Sequence, residues 1–159
     1  MTKKLVLPVP QGFFRCPPLT PAAKRRYVRH GQRALVDLVQ KSQLRNGPIE
    51  WTLDHETSGV RVYRGHDPET SSLVYLNVTD IHATLEEAAA LMSAGDGSRD
   101  YCATYLDNIL DAQPLYTITT RTEDHPHNAV TIKWRVLSSK SALVRNRDMV
   151  VLEIQDDFT

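Results

Sequence analysis

Apolar positions in this sequence switch between two periods, and the switches lay out the elements. Val28, Gly31, Leu35, Leu38 and Val39 recur at the spacing of one helix face. Thr20-Pro21 opens that helix: the hydroxyl can accept from an orphan N–H, and a proline at the first helical position loses nothing by lacking one. Asn46-Gly47-Pro48 should end it. The period then falls to two. Ile49, Trp51 and Leu53 alternate with Glu50, Thr52 and Asp54, and Ser58-Gly59 turns the chain. Val60 and Val62 alternate with Arg61 and Tyr63, His66-Asp67-Pro68 turns it again, and Leu73 to Ile81 reads as a longer strand. Three strands joined by short links predict an antiparallel meander.

Helical spacing returns at Thr84-Leu85-Glu86-Glu87, a capping box whose hydroxyl and carboxylate can each satisfy an orphan N–H. The helix it opens, Leu85 to Ser93, is short and Ala-rich; Gly95-Asp96-Gly97 closes it, and Ser98 should start another through Tyr101 and Tyr105. After Pro114 the alternation resumes with Tyr116 and Ile118. Val130, Ile132, Trp134 and Val136 then alternate with Thr131, Lys133 and Arg135, and an apolar run follows from Met149 to Ile154. Strands grouped on either side of a helical insertion predict an α+β fold with an antiparallel sheet. Ahead of all this, residues 1–19 form a Pro-rich lead, extended rather than helical. It is either a loose lead or a strap laid over the domain at 20–159.

Composition narrows the function classes. A chain of 159 residues, 41% hydrophobic, fits one domain of ordinary size. Its 19 basic and 19 acidic residues cancel, so no overall field recruits nucleic acid. Cys16 and Cys102 lie far apart without a C-x-x-C partner, which argues against a zinc knuckle or a disulfide framework. Pro8 and Pro10 break the apolar run behind Lys3-Lys4 before it reaches signal-peptide length, and no stretch approaches a membrane span. The expectation is a soluble, cytoplasmic protein. Lys24, Arg25, Arg26, Arg29 and Arg33 carry no acid among them; they read as a solvated face, with peripheral contact to anionic lipid as the competing reading.

The succession from the capping box through Leu110-Asp111-Ala112-Gln113-Pro114-Leu115-Tyr116, then Ile132-Lys133-Trp134, then Val144-Arg145-Asn146-Arg147-Asp148-Met149 resembles START and START-like lipid-binding domains. Their late strand opens with a similar Arg-Asp-aromatic step; here Met149 stands where the aromatic is usual. The lead, Gly12-Phe13-Phe14 through Pro17-Pro18-Leu19-Thr20, is similar to a subgroup sometimes joined to FYVE-type zinc fingers, although no finger is present. The resemblance implies a helix-grip fold, in which a curved antiparallel sheet wraps a C-terminal helix around an apolar ligand. It also implies further strands and that helix beyond the sixth strand, so the domain is expected to be incomplete. The implied function is non-enzymatic binding and transfer of a lipid-like small molecule, without cofactor. The implied ligand contacts are Asp111, Tyr116, Ile132, Trp134 and Arg147. A cavity enzyme of the polyketide-cyclase type and a protein-interaction module are the alternatives.

Other chemistry is thin. His125-Pro126-His127 has no nearby cysteine and makes a poor metal set. Ser138, Ser139 and Ser141 lie in no G-x-S-x-G elbow. Asp111 and Arg147 stand at the heads of apolar strands and could form a polar pair reaching into the cavity, or a structural ion pair holding strand to loop. Arg147 could equally pair with Asp148 or face solvent, since an unbroken apolar run leaves strand parity open. Trp51 and Trp134 read as core.

Overall fold

The computed structural model describes residues 6–93, 108–139 and 145–156; the helix expected from Ser98 lies outside them. Among these residues the fold is α+β. Helices α1 (Pro21–Lys41) and α2 (Leu85–Ser93) accompany two antiparallel three-stranded sheets. The first sheet is a meander of β1 (Thr52–Thr57), β2 (Val60–His66) and β3 (Leu73–Thr79). The second is a meander of β4 (Ile109–Thr119), β5 (Ala129–Leu137) and β6 (Arg147–Gln155). The chain divides into two units, Met1–Gly31 with Leu85–Thr159, and Gln32–Thr84.

In the Gln32–Thr84 unit, α1 stops at Lys41, short of the expected Asn46-Gly47-Pro48. The Trp51 indole N–H donates to the Lys41 carbonyl at 3.0 Å, satisfying an acceptor that a continuing helix would have used. The Lys41 ammonium reaches Asp67 Oδ2 and Glu69 Oε2, each at 2.9 Å, tying the helix end to the β2–β3 loop. Both carboxylates raise the Lys41 pKa, and the Lys41 hydrogen bond lowers that of Asp67. β1 begins at Thr52 rather than Ile49. Ile49 is buried, and its Cγ2 fills the space where a Cβ on Gly65 would fall, 2.5 Å away. Ser58 and Gly59 both take positive φ, 50° and 77°, as the two-residue hairpin joining Thr57 to Val60 requires.

In the other unit, Thr20 caps α1 as its sequence position suggests. Ala23 N–H donates to Thr20 Oγ1 at 3.2 Å, and Lys24 N–H to the Thr20 carbonyl at 3.0 Å. β4 starts at Ile109, well before the expected start beyond Pro114. A proline survives inside this strand because β4 lies at an end of the order β4-β5-β6, with a ladder to keep on one side only. The register shifts between Pro114 and Tyr116.

Paired residues of an antiparallel ladder share a face, so the registers sort the second sheet. Val130, Ile132, Trp134 and Val136 share a face with Asp111, Gln113 and Tyr116 of β4 and with Asp148, Val150, Leu152 and Ile154 of β6. Lys133, Arg135 and Leu137 share the opposite face with Ala112, Arg147, Met149, Val151 and Glu153. On the first face, Val9, Trp134 and Val136 form a buried cluster, with Leu7, Phe14 and Leu115 packed against it. The Pro-rich lead therefore lies along this face, which is called the lead face below. α1 meets the same face at Gly31, where a Cβ would stand 2.7 Å from Ile154 Cδ1 and 3.3 Å from Ile154 Cβ.

Candidate functional site

Four of the five residues implied as ligand contacts, Asp111, Tyr116, Ile132 and Trp134, share the lead face, and Arg147 lies on the other. Asp111 is only 3% exposed. Its Oδ2 accepts the Val9 N–H at 2.7 Å and its Oδ1 the Ala112 N–H at 3.0 Å. Arg147 is exposed at the head of β6 and makes no ion pair with Asp111, from which β5 separates it. Its neighbour Asp148, not Arg147, lies on the lead face, where Oδ2 accepts the Trp134 indole N–H at 3.0 Å. Tyr116 donates its phenol to the Pro17 carbonyl at 3.0 Å. Burial raises the Tyr116 pKa, and Cys16 close by adds to the shift. Trp134 is core as expected, with the Phe14 ring tilted at 59° against it, 4.9 Å between ring centroids.

The opposite face carries the charged cluster that a pattern reading passes over. Lys133, 2% exposed, donates from Nζ to Glu153 Oε1 at 2.6 Å. Arg135 donates from Nη2 to the second oxygen of the same carboxylate. One acid of β6 thus serves two cations of β5, with Val151, Leu137 and Ala112 on the same face. Arg135 Nε is buried and meets no acceptor among the described residues. Such an N–H is costly to leave unmet, so an oxygen reaching it would be stabilised. The alternation of Thr131, Lys133 and Arg135 with apolar residues does not by itself tell which face of the strand is buried. The signal pointing to the cluster was Glu153, a lone acid between Leu152 and Ile154 in an apolar strand, which calls for a partner.

Two other regions are chemically poorer. In the Gln32–Thr84 unit an open depression of about 810 Å³ is lined by Pro48, Glu50, Thr52, Arg64, His66 and Leu73. Its charged groups are solvated. His125 and His127 sit in a turn closed by backbone bonds between Thr122 and His125, and no group of three metal-ligating side chains occurs among the described residues. No family model, curated protein or solved structure matches this chain. None of the described helices is long and apolar enough to cross a membrane.

Proposed function

We propose that this chain is a START-like domain of helix-grip type that binds, and can transfer, a lipid-sized amphipathic ligand without covalent chemistry. The element order of a helix, a three-strand meander, a helical insertion and a second meander supports that architecture. The observation that carries the functional reading is the cluster Lys133–Glu153–Arg135, in which a buried guanidinium N–H of Arg135 has no acceptor among the described residues. An anionic head group would complete that hydrogen-bond set, and its tail would lie along Val151, Leu137 and Ala112. The exposed Lys24, Arg25, Arg26 and Arg29 of α1 support peripheral contact with the anionic membrane that supplies such a ligand.

The test is equilibrium binding of a fluorescent long-chain fatty acid to the full chain, against the alcohol of equal chain length. A charge-assisted hydrogen bond contributes ~1.5–3 kcal/mol, so the acid should bind at least ~10-fold tighter than the alcohol. Arg135→Met should erase the difference. Failure of both compounds to saturate, or a preference that survives Arg135→Met, rejects the reading.

A further inference from the structure

The lead does more than cover apolar surface. In Pro8-Val9-Pro10 the two prolines have no N–H, so Val9 supplies the one backbone donor of the tripeptide. That donor goes to Asp111 Oδ2 at 2.7 Å, and the Val9 carbonyl accepts from Gln113 Nε2 at 3.1 Å. Two side chains at alternate positions of one strand thus read both main-chain groups of one residue. The Val9 side chain, fully buried, fills the hollow beside Trp134 and Val136. Further along, Tyr116 donates to the Pro17 carbonyl and Trp134 packs against the tilted Phe14 ring. Pro8 and Pro10 themselves face solvent.

These are elements by which grooves recognise proline-rich segments: a backbone stiffened by proline before binding, aromatic walls, and polar side chains aimed at the main chain rather than at side chains. Residues 6–19 of the lead belong to neither described strand ladder, so they can leave without unpairing the sheet. We propose that Asp111, Gln113, Trp134, Val136 and Tyr116 form a recognition groove for a proline–apolar–proline segment, occupied in the isolated chain by residues 8–10 and open to exchange with such a segment of a partner protein. Tethering gives the chain's own lead an effective concentration on the order of millimolar, so a competing segment must bind more tightly than that. The groove lies on the lead face and is independent of the ligand proposed for the opposite face.

The test uses the full chain with Val9→Asp, which puts a charge into the apolar hollow and displaces the lead. The probe is a fluorescent peptide of residues 6–18 with serine in place of Cys16, followed by anisotropy. The variant should bind it at least ~10-fold tighter than the unmodified chain. Methylating the peptide's Val9 nitrogen, or adding Gln113→Ala to the variant, should each weaken binding ~10-fold or more. No saturable binding to a folded variant, or indifference to the methyl group, overturns the proposal. If Val9→Asp does not fold, trypsin cleavage at Arg15 of the unmodified chain replaces it. Millimolar peptide should speed that cut several-fold and the methylated peptide should not; an unchanged rate overturns the proposal. So does a dimer of the unmodified chain that disappears in Val9→Asp, since the occupant would then be the lead of a second copy.

Discussion

At the scale of single residues, the charges divide by how many partners depend on them. Glu153 holds both Lys133 and Arg135, so Glu153→Gln removes a counter-charge from two cations at once, one of them buried. Lys133→Met leaves the carboxylate with Arg135, and Arg135→Met leaves it with Lys133. Breaking a buried pair from one side costs roughly 3–5 kcal/mol. Glu153→Gln should therefore fall in that range and exceed either cation variant, as measured by urea unfolding. A smaller loss for Glu153→Gln than for Lys133→Met would contradict the shared-carboxylate geometry. Asp111 shows how far a residue can be read from the chain alone. Its value as a polar group at the edge of an apolar strand was visible in the sequence. Its partner was not, because Arg147 and Asp148 compete for the lead face and one step of parity decides between them. One residue that Asp111 does bond, Val9, is 102 positions away and carries no charge to advertise it.

At the scale of elements, the cap at Thr20 and the turn at Ser58-Gly59 were legible and the boundaries were less so. Thr20-Pro21 and Ser58-Gly59 act locally, through one hydroxyl and two positive φ angles, and local chemistry is what a sequence displays. The end of α1 and the start of β4 are set from outside the element, by the Trp51 indole and by the position of β4 in its sheet, so no pattern within either segment could mark them. Gly31 is a third case. It fell on the apolar stripe of α1, but its role is absence: Ile154 occupies the space of the missing Cβ. Gly31→Ala would gain ~1 kcal/mol of helix propensity in an exposed setting. Here the overlap reaches Ile154 Cβ as well as the flexible Cδ1, and overpacking of that kind costs ~1–3 kcal/mol. Gly31→Ala should come out neutral to destabilising in chemical denaturation, and Ile154→Ala should restore the propensity gain in the double variant. A Gly31→Ala protein more stable than its parent would mean that α1 shifts at no cost.

At the scale of the whole molecule, the end strands of the second sheet contrast. β4 carries Pro114, while β6 presents Met149 and Val150, both exposed, and no strand among the described residues pairs with its outer edge. Unpaired apolar edges seek partners and charge suppresses this. The full chain should therefore self-associate at micromolar concentration in light scattering with size exclusion, and Val150→Lys should shift it toward monomer. A monomer unaffected by that change would show the edge to be covered. The lead has a further consequence, in time rather than space. A ribosome makes Val9 first and Asp111 102 residues later, which at ~5–20 residues per second amounts to roughly 5–20 s. Throughout that interval the apolar segment that will close over Trp134 has nothing to close over. Its prolines keep it from joining a helix or the middle of a sheet, so it arrives at the finished strands still extended and uncommitted.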